Sequence, residues 1–249
     1  MRGAGAMAWK ELREITLAEG RPAVQMAIAG LFDLLLGIGM PIAIAKAFLP
    51  MLGLWPTIGL LCAGVIGIAA FMGFLGPMPT IADAFAGERE RHTLETLLAG
   101  PIDDRAILWG KMAAQYAVVG AHVVLVSAAA GFTSAVLLGW PGLLVLPAGL
   151  LAGSLAAALT SSFIVGLGIL LSLRAPTVKK AQERIGYVMM PIFLVPAFGP
   201  ALFRSLPGGP GTAAVVGTLV LPAILLAGSV TFNLLAFARF RRDRLVGLA

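Results

Sequence analysis

Six long apolar runs constrain this chain more than any other feature, because each is long enough to cross a membrane as a helix. They cover residues 23–45, 57–82, 112–138, 143–173, 185–203 and 212–238. A helix needs about 20 mostly apolar residues to span a hydrocarbon core of roughly 30 Å. Only 12% of the residues are charged, which is about half the fraction found in soluble domains. The sequence therefore predicts an all-α membrane protein with six transmembrane helices in one domain over residues 1–249.

The basic residues indicate which side of the membrane each loop occupies. With the N-terminus inside, sixteen of the 18 Lys and Arg residues fall in inner segments, and only Lys46 and Arg204 fall outside. Such an excess of basic residues is typical of cytoplasmic loops. We therefore expect a multi-pass protein of the cell (inner) membrane, in contact with lipid and with both termini in the cytoplasm. The same distribution accounts for the net charge of +6 without nucleic acid as a partner.

The N-terminal residues and the proline-rich region after residue 190 carry further structural signals. Residues 8–21 mix apolar side chains with charged ones, which predicts a short N-terminal helix lying at the membrane interface. Prolines concentrate in and after the fifth run, at Pro191, Pro196 and Pro200 and within residues 205–211. Proline interrupts helices, so we expect re-entrant segments between the fifth and sixth spans.

The longest charged island, residues 83–111, lies between the second and third runs and contains eleven ionisable residues. Gly87 is suited to end one helix, and Gly100-Pro101 is suited to stop the next. Together they predict a separate helix over residues 88–99, about three turns long. By the predicted topology this helix lies in the cytoplasm.

The predicted loop helix has a face suited to a protein partner. Leu94, Leu97 and Leu98 recur at the spacing of one helix face and would form a short apolar stripe. A helix with such a stripe is suited to a groove on a cytosolic partner. Arg91 and Glu95 are four residues apart and are expected to pair. A solvated loop without any partner is the alternative interpretation.

Asp33 lies near the middle of the first span. A charged side chain there costs about 2.5–3.5 kcal/mol on insertion scales, so we expect it to face protein or water. Two interpretations stay open: a carboxylate on a substrate or cation path, and a neutral acid hydrogen-bonded to a neighbouring helix. His122, in the third span, is more typical of a buried hydrogen-bonding residue than of a ligand.

Motifs for nucleotide hydrolysis and catalysis do not occur in the sequence. It contains no G-x-x-x-x-G-K-[ST] loop, since Gly110-Lys111 is not followed by a hydroxyl residue, and no G-x-S-x-G, H-E-x-x-H or C-x-x-C. The single cysteine, Cys62, permits no internal disulfide. We therefore expect that the chain is not an enzyme by itself and that it has no catalytic residue, metal site or cofactor.

The run GERERHTLETLLAGPIDDRAILWGK resembles the cytoplasmic loop of ABC-2 type transporter permeases. That loop typically has a Glu-Arg-Glu-x-x-Thr-x-Glu-x-Leu-Leu core, then a proline turn and a Gly-Lys pair. The matching residues here are Glu88, Arg89, Glu90, Thr93, Glu95, Leu97, Leu98, Pro101, Gly110 and Lys111. Residues 10–13 (Lys-Glu-Leu-Arg) are similar to the interfacial segment of the same family. His92 departs from the pattern, because many members have glycine there.

The resemblance implies that the loop contains a coupling helix that docks on an ABC ATP-binding subunit. The coupling residues would be Glu88, Arg89, Glu90, Arg91, Thr93, Leu94, Glu95, Leu97 and Leu98. The resemblance also implies a homodimer of permease chains with two ATPase chains, which would bind ATP and Mg. We expect the membrane subunit of an ATP-driven exporter. The alternatives are an ATP-independent channel or secondary transporter that uses Asp33, and a membrane assembly factor that uses the loop only for docking.

Overall fold

The structure, a computed structural model, describes residues 4–17, 22–100, 102–190 and 220–240, and within these ranges it contains no β-strand. The helices are α1 (Ala4–Leu17), α2 (Pro22–Leu52), α3 (Leu54–Leu75), α4 (Met78–Glu90), α5 (Leu94–Ala99), α6 (Asp104–Leu138), α7 (Val145–Ala148), α8 (Ser154–Ser172), α9 (178–190) and α10 (Leu221–Arg239). A 3₁₀ turn over Trp140–Leu144 precedes α7, and a π-helical turn over Gly149–Gly153 joins α7 to α8.

Five helical segments among the described residues are long and apolar enough to cross a membrane. They are Ala27–Leu52, Leu54–Glu90, Asp104–Leu138, Trp140–Ser172 and Pro222–Arg239. These segments correspond to five of the six predicted spans and confirm an all-helical protein with several membrane-spanning helices. Residues 191–203 of the predicted fifth span, and the re-entrant segments after them, lie outside the described residues. The count of six spans stays a prediction.

The outward faces of the long helices are apolar. Phe132 on α6 is 73% exposed, and Leu151 and Leu155 on the fourth spanning segment are 75% and 73% exposed. Contiguous apolar surface of this kind is unfavourable in water but not against lipid tails. The surface therefore agrees with a membrane environment. The first helix, α1, also forms, and Trp9 on it is exposed. Its position at the membrane interface stays a prediction.

The described fold divides into two compact units. Unit 1 comprises Met1–Pro77 and Trp109–Ser161, and unit 2 comprises Met78–Leu108 and Ser162–Ala249. The core of unit 1 contains Leu61 and Val65 of α3, Val126 and Ala130 of α6, and Val145 of α7, all fully buried. The prediction that the chain forms one transmembrane domain stays a prediction.

Unit 2 has its own core, in which α8 packs on α4 and α10. A Cβ atom on Gly168 would lie only 2.5 Å from Ile81, so α8 approaches α4 closely at this glycine. On the other side, the Asn233 amide donates to the Ser162 carbonyl oxygen at 3.0 Å and joins α10 to α8. The ring centroids of Phe85 and Phe240 are 5.2 Å apart.

Within unit 1, α3 and α8 also meet at a glycine. A Cβ atom on Gly73 would lie 2.4 Å from both the Ala157 carbonyl oxygen and the Thr160 hydroxyl. The Thr160 hydroxyl donates to the Ala70 carbonyl oxygen at 2.9 Å, across the same contact. Small residues allow such close approach of helices in membranes, where polar side chains then bond across the contact.

This contact predicts opposite effects of the same substitution at two glycines of α3. Alanine is more favourable than glycine in a helix by about 1 kcal/mol, but overpacking a close contact costs about 1–3 kcal/mol. Gly73→Ala should therefore lower the free energy of unfolding in detergent micelles. Gly67→Ala is the matched control, because a Cβ atom there has no neighbour within 4 Å; it should be neutral or stabilising. Equal stability of the two variants would contradict the close approach at Gly73.

Candidate functional site

The bounds of the predicted loop helix over residues 88–99 are wrong. Gly87 lies inside α4, which continues to Glu90, and α5 begins only at Leu94. The helix is interrupted at His92, whose φ angle of 56° lies in the left-handed region. The loop therefore contains the end of one long helix and a separate short helix, rather than a single helix of three turns.

The turn between α4 and α5 has the hydrogen bonds of a Schellman helix end. The His92 N–H donates to the Arg89 carbonyl oxygen at 3.1 Å, and the Thr93 N–H donates to the Glu88 carbonyl oxygen at 2.9 Å. These are the two bonds of that motif, and they place His92 where glycine is the usual residue. The departure from the family pattern at His92 therefore falls at a position whose backbone suits glycine. Glu88 and Glu90 lie in the last turn of α4, not in the first turn of a helix.

Glu88 and Leu94 are held within the chain. Glu88 is only 6% exposed, and its carboxylate accepts a short hydrogen bond from the Thr93 hydroxyl. The same hydroxyl lies 3.2 Å from the Glu88 carbonyl oxygen. Leu94 is 5% exposed, so it packs inside the protein instead of contributing to an exposed apolar stripe.

Arg89 and Glu90 bond to the segment between α8 and α9. The Arg89 guanidinium donates to the carbonyl oxygens of Ala175, at 2.6 Å, and Leu173, at 3.0 Å. The Glu90 carboxylate accepts the Val178 N–H at 3.1 Å. Both contacts lie within unit 2, and together they join the turn after α4 to the segment between α8 and α9. The two loops therefore form one connected structure.

The side chains that point away from this structure are few. Arg91 pairs with Asp83 at 3.0 Å, with both side chains substantially exposed; the predicted Arg91–Glu95 pair is wrong, because the interruption at His92 places Glu95 on a separate helix. On α5, Glu95 is exposed and Leu97 is partly exposed. The side chain of Leu98 lies outside the described part of the structure, as does Pro101.

In unit 1, a buried ion pair attaches α1 to the start of α6. The Lys111 ammonium lies 2.6 Å from the Glu11 carboxylate, and the two residues are 2% and 7% exposed. The neighbouring Gly110 permits the approach, since a Cβ atom there would lie 2.6 Å from the Met7 side chain. Both halves of this contact belong to segments that carry the family resemblance, but the pairing between them was not apparent from the sequence.

A second buried pair joins α2 to α6 in unit 1. Asp33 is 1% exposed, and its carboxylate makes a short hydrogen bond with Nδ1 of His122. The second carboxylate oxygen, Oδ1, has no hydrogen-bond partner among the described residues. Sequence reasoning found no basic partner for Asp33 in another span, and His122 supplies one. The contact matches the interpretation in which Asp33 bonds to a neighbouring helix, and a role on a substrate path stays a prediction.

Comparison with known proteins identifies one family. The family model described as ABC-2 family transporter protein matches residues 23–209, which is 187 of the 249 residues. The matched range includes the turn after α4, the short helix α5 and the segment between α8 and α9. No curated protein matches the chain.

The left-handed backbone at His92 predicts a stabilising substitution. A side chain in this conformation costs about 1–2 kcal/mol, which glycine avoids, although glycine loses more backbone entropy on folding. His92→Gly should therefore raise the free energy of unfolding. Gln182→Gly, at an exposed position inside α9, is the control and should lower it by about 1 kcal/mol. Thermal denaturation in detergent measures both, and destabilisation by His92→Gly would refute the assigned turn.

The Asp33–His122 contact predicts an energetic coupling between the two residues. Hydrogen bonds between helices in membrane proteins have coupling energies that average about 0.6 kcal/mol and reach about 1.7 kcal/mol. A double-mutant cycle with Asp33→Ala and His122→Ala should give about 1 kcal/mol, near the middle of that range. A second cycle with Asp33→Ala and Trp140→Ala should give none, because Trp140 is exposed in the 3₁₀ turn before α7. Equal couplings would show that the Asp33–His122 bond does not contribute to stability.

Proposed function

We propose that this chain, which belongs to the ABC-2 family of transporter proteins, is the membrane subunit of an ATP-driven exporter. A separate ATP-binding subunit, with ATP and Mg bound to it, would supply the energy. The 249 residues contain no phosphate-binding loop motif of their own. In this proposal two copies of the chain form a homodimer in the cell (inner) membrane, with both termini in the cytoplasm.

The observation that carries the proposal is the construction of the turn after α4. Its side chains and backbone are extensively bonded within unit 2, through Glu88, Arg89 and Glu90. A segment that receives force from another protein must be rigid enough to transmit that force. A loop whose groups bond only to water would lack this rigidity. This turn has the internal hydrogen bonds that such a role requires.

Contacts within the chain divide the predicted coupling set into two groups. Glu88, Arg89 and Glu90 would hold the turn together, as their contacts within the chain support. The surface for the ATP-binding subunit would be formed by exposed residues, chiefly Arg91, Glu95 and the partly exposed Leu97, with Leu98 beside them in sequence. Thr93 would serve the turn through its bond to Glu88.

In the proposed mechanism, ATP binding closes the two ATP-binding subunits and displaces α5 with its turn. The displacement would move the second and third spans, which flank the loop in sequence, and open a path for the substrate at the interface of the two permease chains. The energy required comes from the difference in affinity of the ATPase for the two conformations. Asp33 is a candidate residue on the substrate path.

A second candidate function is favoured by the buried Asp33–His122 pair. Ionisable residues inside a membrane are typical of ion or proton pathways, and Oδ1 of Asp33 has no partner among the described residues. An ATP-independent carrier that uses this carboxylate is therefore the alternative. The two functions differ in two respects: an ion-coupled carrier would lose transport on Asp33→Asn, and it would purify without an ATPase.

The docking proposal predicts that exposed residues of α5 determine assembly with the ATP-binding subunit. The double variant Glu95→Arg/Ala99→Arg changes two exposed side chains and should leave membrane insertion unchanged. Loss of about 1.4 kcal/mol of binding free energy corresponds to a tenfold loss of affinity, and we expect at least that effect. The measurement is Mg-dependent ATPase activity that co-purifies with the tagged chain from its native membranes.

The control for this experiment is Arg13→Glu, a charge reversal at an exposed position of α1. It should retain the co-purifying ATPase activity. If the unmodified chain carries no ATPase activity, the proposal of an ATP-driven subunit is wrong. If the α5 double variant retains all of the activity of the unmodified chain, α5 is not the docking surface.

A further inference from the structure

Ser172, at the C-terminal end of α8, places its hydroxyl against the backbone of α4. Its Oγ donates to the Ala82 carbonyl oxygen at 3.0 Å and accepts the Ala86 N–H at 3.0 Å. The Phe85 N–H also points to it, at 3.3 Å. Ser172 is fully buried. No motif in the sequence identified this residue.

The position of this hydroxyl is unusual for a serine in a membrane helix. In an α-helix the N–H of each residue bonds to the carbonyl oxygen four residues earlier, so Ala86 and Ala82 are each other's regular partners. The Ser172 hydroxyl bonds to both groups, and α4 continues as a helix through them. By contrast, the hydroxyl of Ser161 on the same helix bonds to the Ala158 carbonyl oxygen of its own helix, at 3.2 Å, which is the common arrangement.

Arg89 makes the reverse connection. Arg89 of α4 donates to two carbonyl oxygens of the segment just after α8, those of Leu173 and Ala175, at 3.0 and 2.6 Å. A side chain of α8 thus bonds to the backbone of α4, and a side chain of α4 bonds to the backbone that follows α8. We refer to Ser172 and Arg89, with these backbone partners, as the α4–α8 clasp.

We propose that Ser172 and Arg89 are positioning residues that make the end of α4 and the end of α8 move as one body. Displacement of the first cytoplasmic loop would then reach the fourth span directly, in addition to the spans that flank the loop in sequence. This inference rests on the proposed function for its consequence in transport. The clasp itself rests only on the five hydrogen bonds made by the two side chains.

Removal of the Ser172 hydroxyl should change the relative motion of α4 and α8 without unfolding the protein. In Ser172→Ala, the Ala86 N–H and the Ala82 carbonyl oxygen are regular partners within the continuous helix α4, so neither group is left unsatisfied. The variant should therefore fold and insert. The bonds that Ser172 makes to α4 would be lost, while the Glu90–Val178 bond and the Arg89 bonds remain. A purely structural role would instead appear as loss of folded protein.

The first test measures the connection without a partner protein. Spin labels at Glu95 and Lys180, both exposed, report the separation of α5 and α9 on a Cys62→Ala background. Double electron–electron resonance should give a narrow distance distribution for the unmodified clasp and one at least twice as broad for Ser172→Ala. Arg89→Lys should also broaden it, because an ammonium lacks the rigid fork that reaches two carbonyl groups.

Two variants control this measurement. Ser161→Ala removes an equally buried hydroxyl from the same helix and should leave the distribution narrow. Ser172→Thr retains a hydroxyl and should restore it. A distribution that stays narrow in Ser172→Ala would overturn the clasp.

The second test measures coupling in the complex with the ATP-binding subunit. For this test the label at Glu95, which lies on the proposed docking surface, is replaced by a label at Arg105, which is exposed. Ser172→Ala should retain the complex and its basal ATPase activity, but the effect of ATP on the Arg105–Lys180 distance should fall at least fivefold. Unchanged coupling would overturn the positioning role. Failure of the proposed function is distinct from both results, since it would appear as absence of the ATPase complex in the unmodified chain.

Discussion

Every buried polar backbone group in this protein must find a partner, and this constraint is most demanding where helices end. Spanning helices satisfy their own backbone along their length but leave the last turns unpaired. The end of α4 is closed by the Schellman bonds around His92. The end of α8 is closed by backbone bonds of the turn that follows it, and Arg89 binds the carbonyl oxygens of Leu173 and Ala175 in that turn. The turn after α4 and the segment after α8 are held in place by these bonds.

The same constraint governs the polar side chains of unit 1. Asp33 is paired with His122, and Glu11 with Lys111. A buried charge without its partner is costly, so each pair fixes the contact between two helices more than it adds net stability. These pairs occur where glycines bring the helices close together, as at Gly110 beside Lys111. Small residues set the spacing of the helices, and the buried pairs fix their register.

The spans were predictable from the sequence because length and hydropathy are local properties. The break between α4 and α5 was not predictable. Gly87 lies inside a continuing helix, whereas His92 adopts the left-handed backbone conformation in which glycine is usual. The pairs were also hidden, because Asp33 and His122 are 89 residues apart and Glu11 and Lys111 are 100 apart. Nothing in the local pattern indicates which distant polar residues meet. Ser172 shows most clearly what the sequence does not reveal, since its partners are backbone atoms, which are the same in every sequence.

The loop motif therefore has a physical interpretation that differs from the one its sequence suggested. Charged residues on a cytoplasmic loop are expected to face a partner, yet Glu88 and Arg89 bond to groups of the same chain. A substitution at either position would disturb the turn before it disturbed any docking, so loss of activity there would not identify a contact with another protein. Exposed Glu95 has no such role in the turn. Glu88 and Arg89 of the motif maintain the shape of the loop, and in the proposed complex the contacts with a partner would depend on exposed side chains such as Glu95 that this shape presents.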